Sequence, residues 1–218
     1  MATRVGVVLS GCGFQDGGEI HESVLTLLAL DRAEAEIHCF APDVDQTKVV
    51  NHLTGEASEE TRNVLVESAR IARGEIKPLS EANADELDAL VIPGGFGAAL
   101  NLSDFAVNGP QGTVDPALSK LLSDMHAQKK PIGAICIAPA TVALALGSEG
   151  PTVTIGNDAG TAQAIEACGA SHQNCPVDDF VVDRERKIVT TPAYMLGPSI
   201  RHVAAGIERC VAEVLSMA

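Results

Sequence analysis

Short apolar segments alternate with amphipathic segments along the whole chain, and this order constrains the fold more than any other feature. The apolar segments, bounded by Gly, Pro or polar residues, predict strands at residues 4–10, 37–41, 87–92, 131–135, 153–155, 180–183 and 188–190. Apolar residues at helical spacing predict helices at residues 19–33, 59–73, 116–128, 158–168 and 199–217. Alternating buried strands and helices are typical of an α/β domain with a mostly parallel sheet covered on both faces.

Three turns directly follow predicted strands: residues 11–18, residues 93–97 and Cys136. Because the carboxyl ends of parallel strands lie at one edge of a sheet, and ligands bind outside that edge, these turns are expected to surround one crevice. The sequence contains no internal repeat, low-complexity tract or linker, so residues 1–218 are predicted to form a single domain.

The composition disfavours several classes of partner. A formal net charge of -14 opposes binding to nucleic acid or to an anionic membrane, and the 3% aromatic content leaves few platforms for base stacking. No apolar run reaches membrane-spanning length, so no membrane partner is predicted. The amino terminus lacks the pattern of a signal peptide, and the six cysteines are widely dispersed, as in a reducing compartment, so a cytoplasmic location is predicted.

Cys136 lies between a predicted buried strand and an Ala-rich helix that carries Pro139 in its first turn. A sharp strand-to-helix turn of this kind is a nucleophile elbow, which holds one side chain in a strained position above the sheet. Ala134 and Ala138 are small, as such a turn requires. The start of the new helix is expected to favour the thiolate, which is the reactive form of cysteine. A buried structural cysteine is the alternative interpretation.

A thiolate nucleophile needs an acid–base partner and donors for a developing oxyanion. Glu22 and Glu19, one helical turn apart after the first strand, are the candidate carboxylates, and Glu22 is preferred. A carboxyl group held against the cysteine would share a proton with it. The loop containing Gly94 and Gly95 is predicted to supply half of the oxyanion hole, and the N–H of Ile137 the other half.

Several segments resemble the ThiJ/PfpI superfamily, which has the class I glutamine-amidotransferase-like fold, a flavodoxin-like three-layer sandwich. These are residues 89–95, 130–139 and 188–192. Further segments are similar to the ElbB glyoxalase-like branch of that superfamily: residues 10–13, 51–56, 60–65, 175–179 and 190–195. The resemblance covers nearly the whole chain.

The resemblance implies a glyoxalase without a cofactor or metal, acting on glyoxal and on methylglyoxal. The nucleophile of the family matches Cys136 and its acidic partner matches Glu22. The thiolate would form a hemithioacetal, the N–H groups of Gly95 and Ile137 would hold the oxyanion, and Glu22 would move a proton between the two carbons. The resulting thioester would be hydrolysed to the 2-hydroxy acid. Members of the superfamily are commonly dimers, so a homodimer is expected.

Other branches of the superfamily differ at informative positions. Some use a histidine near the cysteine, and His172 is the candidate for such a site residue, although an isolated histidine before a strand is more often structural. No His-x-Glu pair follows Cys136, which disfavours glutaminase chemistry. The protease-like branch has histidine directly after the nucleophile, where this chain has Ile137.

Two further motifs are weak. Residues 11–16 nearly match Gly-x-Gly-x-x-Gly, but Asp16 stands at the last glycine and would repel a pyrophosphate. Cys168, His172 and Cys175 lack a convincing fourth ligand for zinc. A redox sensor with an oxidisable Cys136 and a non-catalytic scaffold stay open as alternatives to an enzyme.

Overall fold

The computed structural model describes residues 2–218. Its strands are β1 (Arg4–Val8), β2 (Glu36–Ala41), β3 (Val49–Val50), β4 (Ala57–Ser58), β5 (Ile76–Pro78), β6 (Ala89–Ile92), β7 (Ile132–Ile135), β8 (Thr152–Val153), β9 (Ser171–His172), β10 (Val181–Asp183) and β11 (Ile188–Thr191). Its α-helices are α1 (Ile20–Arg32), α2 (Val64–Ile71), α3 (Phe96–Leu100), α4 (Phe105–Asn108), α5 (Pro116–Ala127), α6 (Ala138–Leu146), α7 (Ala159–Ala167) and α8 (Ile200–Ser216). No helix within residues 2–218 is long and apolar enough to cross a membrane.

The central sheet has seven strands in the order β10-β11-β7-β6-β1-β2-β5. All neighbouring strands in it are parallel except β10 and β11, which pair antiparallel at one edge. Successive strand residues face opposite sides, so Leu90 belongs to the core beneath α5 and α6 whereas Val91 belongs to the core beneath α1 and α8. The predicted flavodoxin-like fold, with helices on both faces of a mostly parallel sheet, is confirmed.

The differences from the predicted elements have local causes. Helix α2 starts five residues later than expected because Asn63 caps it, its side chain accepting the Val66 N–H at 3.0 Å. Residues 49–58, where no strand was predicted, form the small hairpin of β3 and β4. The predicted strand at 153–155 becomes β8, which pairs with β9 outside the central sheet. Strand β5 was not predicted, because it has only three residues and begins shortly after the end of α2.

Candidate active site

Cys136 lies on the predicted elbow, between the end of β7 and the start of α6. Its φ of 63° is in the left-handed region, which non-glycine residues seldom adopt, so the surrounding structure must hold this strained turn in place. The N–H of Cys136 donates to the carbonyl of Thr191 at 2.9 Å, which fixes the turn to the end of β11. Only 7% of the cysteine is exposed.

Glu22 lies in the first turn of α1 and is fully buried. Its Oε1 accepts the backbone N–H of Tyr194 at 3.0 Å. No donor among residues 2–218 makes a well-aligned hydrogen bond to its Oε2. Glu19 has a structural role: its Oε2 accepts the N–H of Glu22 at 2.7 Å and so caps helix α1. The two candidate carboxylates are thereby distinguished, and Glu22 is the one beside the cysteine.

The side chains of Glu22 and Cys136 meet where Gly94 lacks a side chain. A Cβ at Gly94 would lie 2.3 Å from Cβ of Cys136 and 2.5 Å from Oε2 of Glu22. Glycine is therefore required at this position for the two groups to approach each other. The free carboxylate oxygen and the thiol share one buried space, as the sequence predicted for an interacting pair.

Burial determines the protonation of this pair. It raises the pKa of Glu22 to about 8, against the lowering effect of the Tyr194 N–H. Burial, and next the charge of Glu22, raise the pKa of Cys136 well above its ordinary value, while the N–H groups of Gly95 and Ile137 lower it. The N–H of Ile137 at the helix start favours the thiolate, as predicted, but desolvation outweighs this effect and the net pKa rises. Below about pH 8 the carboxyl group and the thiol therefore both keep their protons, and Glu22 is the first of the two to lose its proton as pH rises.

The three turns predicted to surround one crevice are joined by backbone hydrogen bonds. The N–H of Phe96 donates to the carbonyl of Phe14, and that of Gly97 donates to the carbonyl of Gly17, both at 2.8 Å. Gly95 has a φ of 98°, and a side chain there would come within 2.3 Å of the Glu19 nitrogen. The N–H groups of Gly95 and Ile137 both lie near Cys136, where they lower the pKa of its thiol. The geometry therefore brings both predicted oxyanion donors to the cysteine.

A cavity of about 350 Å³ opens beside Cys136. It is lined by Phe14, Glu19, Gly95, Phe96, Cys136, Ile137, Thr161, Tyr194 and Met195. A neighbouring hollow shares Phe14, Glu19 and Tyr194 and adds His21, whose Nδ1 lies 2.7 Å from the Tyr194 hydroxyl. The sequence analysis missed Thr161, Tyr194 and Met195. Residues 192–195 directly follow β11, which is the neighbour of β7 in the sheet. Because Cys136 directly follows β7, the strand order would have placed these residues at the same crevice.

His172 does not line this cavity. It lies in β9, where its Nε2 accepts the N–H of Ile155 at 3.2 Å. Burial lowers its pKa, which favours the neutral ring that can accept this bond. The structure therefore corrects its predicted place in the substrate site and gives it a structural contact. Nearby, the thiol of Cys168 bonds to the carbonyl of Ala164, and within residues 2–218 no cluster of three or more His, Cys, Asp or Glu side chains could hold a metal ion.

The hairpin of β3 and β4 packs on the glycine-rich turn after β1. Buried Asp16 accepts the N–H of Val50 at 2.7 Å, and the His52 ring contacts Phe14 edge-on with centroids 5.4 Å apart. The N–H of Gln15 also donates to Nε2 of His52, at 3.3 Å. Asp16, which breaks the dinucleotide motif in the sequence, is thus an anchor for this hairpin, and Phe14 connects the hairpin to the cavity.

Comparison with known proteins identifies relatives over the whole chain. The model of the DJ-1/PfpI family matches residues 12–191. The ES1 protein homolog of Rattus norvegicus is 47% identical over 98% of this chain and 84% of its own, and the human glutamine amidotransferase-like class 1 domain-containing protein 3 is 46% identical over 99% and 84%. The crystal structure of an isoprenoid biosynthesis protein with an amidotransferase-like domain from Ehrlichia chaffeensis superimposes with a TM-score of 0.93, at 39% identity and 99% coverage of both chains.

These relatives correct the predicted location. The rat and human proteins are both mitochondrial by name. The prediction of a cytoplasmic protein is therefore wrong by this comparison. Its two supports, dispersed reduced cysteines and the absence of a secretory signal, do not distinguish the cytosol from other compartments that keep thiols reduced.

Proposed function

Because the chain belongs to the DJ-1/PfpI family, and its cysteine is paired with a buried carboxyl group, we propose that it is a cofactor-independent glyoxalase. Glyoxal, and methylglyoxal beside it, would be converted to the 2-hydroxy acid. The observation that carries this proposal is the Cys136–Glu22 pair, in which a buried carboxylate oxygen without a well-aligned donor shares its space with the thiol. Strongly perturbed pKa values of two interacting groups in a cleft are typical of acid–base sites.

The first step uses the form of the pair that holds one proton, in which Glu22 is a carboxylate and Cys136 is a thiol. The sulfur of Cys136 attacks the aldehyde carbon and forms the C–S bond, while its proton passes to Glu22 and from there to the aldehyde oxygen. The N–H groups of Gly95 and Ile137, which lower the pKa of the thiol, stabilise the negative charge that develops on this oxygen. The product is a hemithioacetal, and Glu22 is again a carboxylate.

The second step moves hydrogen between the two carbons of the substrate. Glu22 removes the proton from the carbon bonded to sulfur and delivers it to the adjacent carbonyl carbon, while the hydroxyl proton of the hemithioacetal passes to the oxygen on that second carbon. The first carbon is thereby oxidised to a thioester and the second is reduced to an alcohol, so no external oxidant or reductant is needed. A carboxylic acid with a pKa of about 8 is suited to this task, because it both accepts and releases protons near neutral pH.

The third step regenerates the enzyme. Water adds to the thioester, the C–S bond breaks, and the sulfur leaves as a thiol with one of the protons of the water. Overall, one dicarbonyl and one water give one 2-hydroxy acid. Glycolate would form from glyoxal, and lactate from methylglyoxal.

Turnover in the absence of metal and glutathione tests the proposal. We expect many equivalents of glycolate per protein from the wild type, and a loss of at least about 100-fold in Cys136→Ala and in Glu22→Gln. Thr161→Ser is a control for general damage at the cavity wall. If the wild type consumes no more than one equivalent, or if Cys136→Ala keeps the rate, the glyoxalase assignment fails and stoichiometric sensing by the thiol replaces it.

We also propose that the chain forms the homodimer expected from the family resemblance. Ile20, Val24 and Leu28 recur every four residues on α1 and are 45%, 48% and 38% exposed, so they form one apolar stripe. Val24→Asp should shift the sedimentation coefficient towards the monomer, whereas Val66→Asp, at an exposed valine on α2, should not. An unchanged mass for Val24→Asp would remove this stripe as the interface.

A further inference from the structure

The cavity beside Cys136 is large for the substrate implied by the family resemblance. Its volume of about 350 Å³ corresponds to the space of roughly twelve water molecules at about 30 Å³ each. Glyoxal is far smaller, because it consists of two carbonyl groups and nothing else. A bound glyoxal would therefore leave most of the cavity filled with water.

Aromatic side chains are concentrated at this cavity. The chain has five Phe, one Tyr and no Trp, and three of these six, Phe14, Phe96 and Tyr194, line it. The side chains of Phe14 and Phe96 are 49% and 51% exposed. A ligand that covers these rings would bind more tightly, because apolar area is removed from water. Stacking of the ligand on the rings would strengthen binding further. Ile137 and Met195 extend the same apolar wall.

The charges at the rim favour a neutral ligand. Glu19 lines the cavity, and Glu22 lies buried beside Cys136. An anionic substituent would be repelled by the charge of Glu19, and by that of Glu22 in the reactive form of the pair. The ammonium of Lys48 lies 5.9 Å from the centroid of Phe96, but Lys48 is not among the lining residues.

We propose that the preferred substrate is a neutral 2-oxoaldehyde whose ketone carbon carries an aromatic or similarly bulky apolar substituent, an inference that rests on the proposed function. The aldehyde carbon bonds to the sulfur of Cys136, and the substituent occupies the space between Phe14, Phe96 and Met195. The aldehyde carbon is oxidised to the carboxylate and the ketone carbon is reduced to the alcohol. One water is consumed, and the acid product releases one proton to solvent.

Phenylglyoxal is the probe, with mandelate as the measured product and glyoxal as the reference substrate. We expect kcat/KM for phenylglyoxal to exceed that for glyoxal by at least about tenfold. Phe96→Ala should lower kcat/KM for phenylglyoxal about tenfold and change that for glyoxal less than twofold, because only the larger substrate reaches the ring. Phe14→Ala should act in the same direction. Phe180→Ala, at a phenylalanine outside the cavity, is the matched control and should leave the ratio of the two kcat/KM values unchanged.

The outcomes separate this inference from the function on which it rests. Cys136→Ala serves as the blank for the reaction of phenylglyoxal with arginine side chains. Cys136-dependent turnover of glyoxal, with phenylglyoxal no better, overturns the substrate class and leaves the glyoxalase proposal intact. A preference for phenylglyoxal that survives in both Phe variants overturns the role of the aromatic wall. Fewer than two turnovers with either substrate overturns both proposals.

Discussion

The backbone N–H of Tyr194 donates a 3.0 Å hydrogen bond to Oε1 of Glu22, and so joins the turn after β11 to the first helix. The preceding residue, Ala193, is buried with a φ of 44°, in the left-handed region, and this turn presents the N–H to the carboxylate. One oxygen of Glu22 is thereby occupied by the main chain. The other is left for the thiol of Cys136.

The pH dependence of kcat/KM should follow this main-chain contact and not the Tyr194 side chain. The reaction needs the pair with one proton, and the fully protonated pair loses its second proton as pH rises through the pKa of Glu22, about 8. We expect kcat/KM to rise with pH below about 8 and to level above it. Tyr194→Phe should change KM through the cavity but leave this midpoint in place. A midpoint displaced by a unit or more in Tyr194→Phe would contradict the assignment.

Glu22 should make the folded protein less stable as pH rises. Its pKa is 4.5 ordinarily and about 8 in the folded chain, so between these values the unfolded chain releases a proton that the folded chain keeps. The free energy of unfolding of the wild type should fall across this window relative to Glu22→Gln, by on the order of a few kcal/mol. Denaturant titrations at pH 5, 6.5 and 8 measure the difference. Parallel pH profiles for the two proteins would show that Glu22 is not buried as an acid.

Gly94→Ala should separate the pair without removing either member. The new Cβ would lie 2.3 Å from Cβ of Cys136 and 2.5 Å from Oε2 of Glu22, so at least one of them must move. A shift of this size at reacting groups costs about 100-fold in kcat. Gly160→Ala, whose Cβ would come no closer than 3.6 Å to Asp158, is the control. Equal activity in the two variants would contradict a close approach of the pair.

Asp16→Ala should loosen the hairpin of β3 and β4. The buried carboxylate accepts the N–H of Val50, and its loss leaves that donor without its acceptor, at a cost of about 1–3 kcal/mol. Amide exchange at Val50 should accelerate accordingly. Asp45→Ala, at an exposed aspartate close by, should change the free energy of unfolding by less than about 0.5 kcal/mol. Unchanged exchange at Val50 would show that the hairpin is held by other contacts.

The sequence predicted the parts of the site that depend on the order of strands and turns. The strand before Cys136 and the helix after it are readable from their apolar residues and from Pro139, and Glu22 follows from its position in the first helix. The family resemblance then selected Glu22 over Glu19. The capping bond that the Glu22 N–H donates to the Glu19 carboxylate is the physical basis of that choice, and only the structure reveals it.

Other features depend on contacts between distant segments. The Tyr194 N–H reaches Glu22 across 172 positions, and no local pattern reveals such a bond. The raised pKa of Cys136 also escaped prediction, because a helix start is visible in the sequence whereas the extent of burial is not. His172 was placed by analogy, and only the strand pairing of β8 with β9 shows its structural contact with Ile155.

The central claim is that Cys136 is the nucleophile and that Glu22 moves the proton between the two carbons. ¹³C NMR with labelled glyoxal tests this claim most directly. In Glu22→Gln, Cys136 still adds to the aldehyde, more slowly because water must carry its proton, but no carboxylate moves the proton between the carbons. The account predicts a hemithioacetal carbon signal that depends on Cys136 and no glycolate, whereas the wild type passes on to glycolate. Glycolate formed by Glu22→Gln at the wild-type rate would contradict the proton-transfer role of Glu22.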